Sequence, residues 1–156
     1  MGDADRAVNN SETVLNMTRT YDAAPQRVFD AWIDPQQLCK WLGPRSMVQG
    51  AETLRLDARV GGEYAVKMLT LDGRTLIVSG MYREIARPTR LVFTWSWDYV
   101  TEGETLVTVT FRPAGQGTEL TLLHEHFASA ERRDSHEKGW TPSLEQLAAL
   151  LGDSAG

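Results

Sequence analysis

Arg90-Leu91-Val92-Phe93-Thr94-Trp95-Ser96-Trp97 decides the architecture. Leu91, Phe93, Trp95 and Trp97 alternate with Val92, Thr94, Ser96 and Asp98. Successive side chains of a strand point to opposite faces, so the first, bulky set forms one apolar face turned toward a core. A sheet with such a face must lie against another element.

The same pattern recurs on both sides of this stretch. Tyr64, Val66 and Met68 form an inward set with Lys67 outward; Val107, Val109 and Phe111 form another; Leu120, Leu122 and His124 form a third. Between these runs lie turn signals. Gly61-Gly62 opens one strand, Asp72-Gly73 is a two-residue hairpin signal, and Arg87-Pro88-Thr89, Glu102-Gly103 and Ala114-Gly115-Gln116-Gly117 mark further turns. This spacing predicts an antiparallel meander from Met47 to Glu125 rather than βαβ units. Gly80, inside a strand, is expected to make room for a close-packed helix.

Upstream, Leu15, Met17, Arg19 and Tyr21 alternate with polar residues and predict another strand. Pro25 suits the first turn of a helix carrying Val28, Phe29, Trp32 and Ile33 on one face. Asp34-Pro35 ends it and starts a second short helix with Leu38, Trp41 and Leu42, closed by Gly43-Pro44. Downstream of Phe127, Trp140, Leu144, Leu147 and Leu151 make one helical stripe. Pro142 removes one backbone hydrogen bond, so a kink or restart is expected near Gly139 to Pro142, with Thr141 as a cap. The fold class that follows is α+β. A curved antiparallel sheet of about six to seven strands wraps a long C-terminal helix, with two short helices after the first strand. Residues 13–152 read as one domain, and residues 1–12 as a disordered tail.

Composition fits a soluble, cytoplasmic protein. The chain has 156 residues, 42% hydrophobic and 24% charged, and a formal net charge of −5. That charge and the scattered basic residues disfavour nucleic acid. No run approaches the roughly 18 apolar residues of a membrane span, and Met1 to Glu12 lack the apolar segment of a secretory signal. The single cysteine, Cys39, excludes an internal disulfide framework and reads as a small packing residue.

These stretches resemble a known superfamily. Thr18-Arg19-Thr20-Tyr21-Asp22-Ala23-Ala24-Pro25, Val28-Phe29-Asp30-Ala31-Trp32, Trp41-Leu42-Gly43-Pro44 and Asp57-Ala58-Arg59-Val60-Gly61-Gly62-Glu63-Tyr64 occur in order. So do Gly80-Met81-Tyr82-Arg83-Glu84-Ile85, Arg90 to Trp95, Val107 to Phe111, Thr118 to Leu122 with His124-Glu125, and Gly139-Trp140. Together, over roughly residues 13 to 151, they resemble the SRPBCC, or START-like, superfamily. The similar branch is named after the C-terminal domain of the heat-shock-protein-ninety ATPase activator. The resemblance implies the helix-grip fold, in which the sheet grips the last helix around a cavity. It also implies a range of roles, among them lipid carriage, hormone binding, polyketide cyclisation or aromatisation, and co-chaperone activity. The chain departs from the pattern at His126, where many relatives carry glycine, and at Pro142.

Rings with polar tips on a mostly apolar face suit a pocket lining, and a filled core is at least as good a reading of the same stripes. The candidate ligand-binding residues are Trp41, Tyr64, Met68, Tyr82, Phe93, Trp95, His124 and Trp140. Three functions are carried forward. One is binding of a small hydrophobic or amphipathic molecule. The second is a cyclase-, aromatase- or hydrolase-like enzyme using His124 with Tyr64 or Tyr82. The third is a co-chaperone-like module that stimulates a chaperone ATPase, and homodimerisation through an exposed strand edge is open to all three. His124 and His126 would share a face in a continuing strand, which could offer two imidazoles to a metal with His136, Glu63 or Glu84 as third ligand. Alternate histidines are more often incidental, so no metal and no cofactor is expected. No G-x-S-x-G elbow, phosphate loop or zinc-protease motif occurs.

Overall fold

The computed structural model describes residues 12–43, 48–98 and 103–155. Most of the proposed tail, Pro44, Met47 and Glu102 therefore lie outside the described residues. The elements run β1 (Leu15–Tyr21), α1 (Pro25–Ile33), α2 (Pro35–Trp41), β2 (Val48–Leu56), β3 (Glu63–Thr70), β4 (Thr75–Ala86), β5 (Arg90–Trp97), β6 (Thr105–Ala114), β7 (Gly117–Glu125) and α3 (Ala130–Ala155). The α+β reading holds, with two short helices after β1 and a long last helix.

The seven strands form one antiparallel sheet in the order β1-β7-β6-β5-β4-β3-β2. The chain starts at one edge, passes through α1 and α2 to the opposite edge, and returns strand by strand to lie beside β1. Register shifts between Thr53 and Arg55, and between Tyr82 and Glu84, interrupt the β2–β3 and β4–β5 ladders. Such bulges bend and twist a sheet.

Local chemistry sets the boundaries. Pro25 stands at the start of α1, where its missing N–H is no loss. The Asp34 carboxylate caps α2 by accepting from the Gln36 N–H at 2.9 Å, and its hydrogen bonds from Gln37 and Gln36 hold its pKa below the usual value. The β6–β7 turn is a two-residue loop with Gly115 at φ 61°. The β3–β4 connection is longer than the two-residue hairpin expected from Asp72-Gly73. It spans 71–74, with Gly73 at φ 89° and the Thr70 hydroxyl bonded to Asp72.

Gly80 corrects another expectation. A Cβ there would lie 1.9 Å from the Thr94 carbonyl oxygen and 2.8 Å from the Tyr64 ring. What needs the space is the neighbouring strand and the tyrosine folded over it, not a helix.

The inward sets of β3, β5, β6 and β7 are buried as their alternation requires, with Trp97 half-buried at the end of β5. Trp140, Leu144, Leu147 and Leu151 of α3 are buried against them. Helix α3 runs without a restart through Pro142. Thr141 is not a cap: its hydroxyl donates to the Glu137 carbonyl at 2.9 Å, and that of Ser143 donates to the Gly139 carbonyl at 2.9 Å. Proline removes only the N–H that would bond the Lys138 carbonyl, and the helix continues on its other bonds.

Candidate functional site

A cavity of about 190 Å³ lies between one end of the sheet and α3. Met68 and Thr70 of β3, Leu76 of β4, Trp95 and Trp97 of β5, and Leu42 after α2 form one side. The face of α3 from Ser135 to Ser143, with Trp140 at its centre, forms the other. The lining is dominated by three indoles and aliphatic side chains. Trp95 and Trp97 meet edge to face at 5.6 Å, and Trp95 and Trp140 lie 5.0 Å apart. The cavity exceeds the roughly 150 Å³ void that admits benzene. It is smaller than the roughly 300–1,000 Å³ of drug-sized sites. Its size matches one or two rings.

Most polar atoms of this lining are already bonded. Ser143 Oγ accepts the Gly43 N–H at 2.9 Å while donating to Gly139. Thr70 Oγ1 bonds Asp72 and accepts the Arg74 N–H at 2.9 Å. His136 Nε2 accepts the Trp97 indole N–H at 3.0 Å, and its Nδ1 lies 2.8 Å from the Arg132 carbonyl. An indole only donates and a carbonyl only accepts, so these partners fit the neutral ring with its proton on Nδ1.

Deeper between sheet and helix the aromatics close up. Trp32, Tyr64, Tyr82, Phe93, Trp95 and Trp140 border a void of only about 20 Å³, room for about one water. Trp140 stacks on Trp32 at 5.9 Å. Tyr64 donates its hydroxyl to the Thr94 carbonyl at 2.6 Å. Burial pushes the Tyr64 and Tyr82 phenols up, so both stay protonated at neutral pH. The indole N–H groups of Trp32 and Trp95 are buried without an acceptor among the described residues.

His124 is fully buried and bonded at both nitrogens. Trp140 Nε1–H donates to Nδ1 at 3.1 Å, and Nε2 lies 2.6 Å from Thr105 Oγ1, which donates to the Trp95 carbonyl at 3.1 Å. The partners therefore fix a chain of donors running from Trp140 through the neutral Nε2–H imidazole and Thr105 to the β5 backbone. Burial, and secondarily the His136 ring 5.1 Å away, hold the His124 pKa well below its ordinary value. The expected tyrosine partner is replaced by Thr105 and Trp140. With both nitrogens bonded, the ring ties β7 to β6 and α3.

The eight sequence candidates thus separate. Met68, Trp95 and Trp140 line the larger cavity. Tyr64, Tyr82 and Phe93 border the small void, with Trp95 and Trp140. Trp41 is buried with its indole N–H on the Ala31 carbonyl at 2.9 Å, and His124 lies in its tether; neither borders either space. His126 does not share a face with His124, because β7 ends at Glu125 and His126 turns to φ 73°. Among the described residues no group of three or more His, Cys, Asp or Glu could hold a metal ion.

Comparison with known proteins places this geometry. Residues 22–152 match the family model described as Activator of Hsp90 ATPase homolog 1-like protein. The chain belongs to this family. Solved structures similar to this family member include protein CV1439 from Chromobacterium violaceum, with 33% identity over 89% of this chain and 96% of that one and a TM-score of 0.83. The AHSA1 (SPO3351) protein from Silicibacter pomeroyi is 30% identical over 90% and 99% of the two chains, with a TM-score of 0.76. A protein from Arthrobacter aurescens is 28% identical over 92% and 88%, with a TM-score of 0.82. No curated protein matches the sequence significantly.

Within this Activator of Hsp90 ATPase homolog 1-like fold, the sequence candidates left out the cavity neighbours Leu42, Gly43, Thr70, Leu76, Ser135, His136, Lys138, Gly139 and Ser143, and also Trp97, although its inward face was read correctly. One signal was present: Gly139 sits in a helix interior, where glycine costs about 1 kcal/mol against alanine. A Cβ at Gly139 meets nothing within 4 Å, so packing does not demand the glycine. Large exposed apolar residues include Leu69 and Met81, at opposite ends of the β3–β4 ladder. No helix among the described residues is long and apolar enough to cross a membrane.

Proposed function

We propose that this protein binds a small, ring-sized apolar or amphipathic molecule in the cavity between β3–β5 and α3. The observation that carries this reading is the cavity of about 190 Å³, walled by Trp95, Trp97, Trp140 and Met68 with its own polar atoms largely satisfied. An apolar ligand entering it gains roughly 25 cal/mol per Å² of surface removed from water. Met68, Trp95 and Trp140 act as direct contacts. Tyr64, Tyr82, Phe93, Trp41 and His124 act behind them, holding the indoles in place.

The committed state of His124 favours binding over catalysis. A general base needs a free nitrogen within reach of substrate, and here both nitrogens serve the fold. Native mass spectrometry of protein purified from its own cells, beside a Gly139→Leu variant, tests the reading. A small molecule carried by the wild type and lost from the variant supports it. Equal occupancy in both, or a molecule that leaves chemically changed after incubation, overturns it.

A further inference from the structure

The charge of the cavity lining restricts the ligand further. Of the residues that border it, Lys138 alone carries a full charge; no aspartate or glutamate lines it. Asp134, one helical turn before Lys138 on α3, is paired with Arg133 at 2.9 Å, and Asp72, bonded to Thr70, is paired with Arg74 at 3.1 Å. Among the described residues no carboxylate forms an ion pair with Lys138. Ser135, the other exposed residue of the rim, has a hydroxyl without a hydrogen bond to another described residue.

The inner and outer parts of the cavity therefore differ in chemistry. Inside are indoles, Leu42, Leu76 and Met68, beside polar atoms already bonded to one another. At the rim stand an ammonium and a hydroxyl, both exposed and both uncommitted. In a chain of net charge −5, an unpaired cation with no acid beside it on the lining selects for a negative head group.

We propose that the ligand is a small monoanion, with a ring-sized apolar body among Leu42, Met68, Trp95, Trp97 and Trp140 and its carboxylate-like head at the rim against Lys138. Gly139 keeps that part of α3 bare so that the body can pass beneath the head-group site. This inference rests on the cavity being a ligand site, and the probes below separate its failure from failure of that reading.

The test pairs 3-phenylpropanoate with its neutral amide, 3-phenylpropanamide, which have nearly the same shape. Dissociation constants for both are measured by calorimetry with wild type, Lys138→Gln and Gly139→Leu. An exposed ion pair predicts that wild type prefers the carboxylate by about fivefold at low salt, and that added salt shrinks the preference. Lys138→Gln should bind both probes alike, with amide affinity unchanged. Gly139→Leu should bind neither. Equal wild-type affinity for the two probes, or a preference that survives Lys138→Gln, overturns the anion assignment and leaves the cavity reading standing. Absence of binding of either probe to wild type overturns both.

Discussion

His124 gives the structure a measurable pH dependence. In the folded chain its imidazole is enclosed, with Nδ1 taken by Trp140 and Nε2 by Thr105, and burial holds its pKa well below 6.5. Above pH 6.5 both folded and unfolded states carry the neutral ring, and nothing is lost. As the pH falls below 6.5 the unfolded chain takes up a proton that the folded state refuses. Stability then drops by about 1.4 kcal/mol per pH unit until the folded pKa is reached. His124→Phe removes this titration. It also leaves the Trp140 indole N–H without an acceptor, which destabilises by about 1–3 kcal/mol at neutral pH. Thr105 keeps its bond to the Trp95 carbonyl. Urea unfolding followed by tryptophan emission, at about pH 8 and about pH 5.5, gives both stabilities at both pH values. Groups that titrate alike in the two proteins cancel in the difference. The gap between wild type and variant should narrow by about 1.4 kcal/mol at the lower pH. A constant gap would refute the tether, and a gap that widens in acid would show His124 charged in the folded state.

Other substitutions probe separate contacts. Gly80→Ala should lower stability by more than about 2 kcal/mol in the same assay, because its Cβ would lie 1.9 Å from the Thr94 oxygen. Gly139→Ala should raise it by about 0.5–1 kcal/mol, since a Cβ there meets nothing and alanine is the better helix former. Tyr21→Phe should lower it by about 1 kcal/mol through loss of the bond to the Leu144 carbonyl at 3.0 Å. His126→Gly should stabilise by up to about 1 kcal/mol, as residue 126 adopts φ 73°, a region that favours glycine.

The architecture was legible because it rests on periodicity. The β5 alternation from Leu91 to Trp97 and the α3 stripe from Trp140 to Leu151 each specify a buried face, and the faces find each other. At His126 the alternation gave no sign that β7 ends at Glu125 and that the backbone turns left-handed, with φ 73°. Alternation says which way a side chain points and not how completely its neighbours fill the space. Tyr64, Tyr82 and Phe93 therefore looked like a lining, although their rings close to a void of about 20 Å³. The larger space opens where β5 ends at Trp97 and a half-buried Leu76 leaves the sheet incomplete. The partner of His124 depended on register: Val107 stands opposite it, so Thr105 reaches it diagonally along β6. The restart expected at Pro142 did not occur because one missing backbone bond does not end a helix that is buried on both sides of it, at Trp140 and at Leu144.

The indole N–H resonances of the five tryptophans offer the most direct reading of where a ligand goes. In a titration of the isotope-labelled protein with 3-phenylpropanamide, the signals of Trp95, Trp97 and Trp140 should shift together and saturate. The Trp41 signal, whose N–H is held by the Ala31 carbonyl away from the cavity, should stay in place. Unmoved signals from the three cavity indoles at saturating probe, or a shift centred on Trp41, would contradict a ligand seated between the sheet and the last helix.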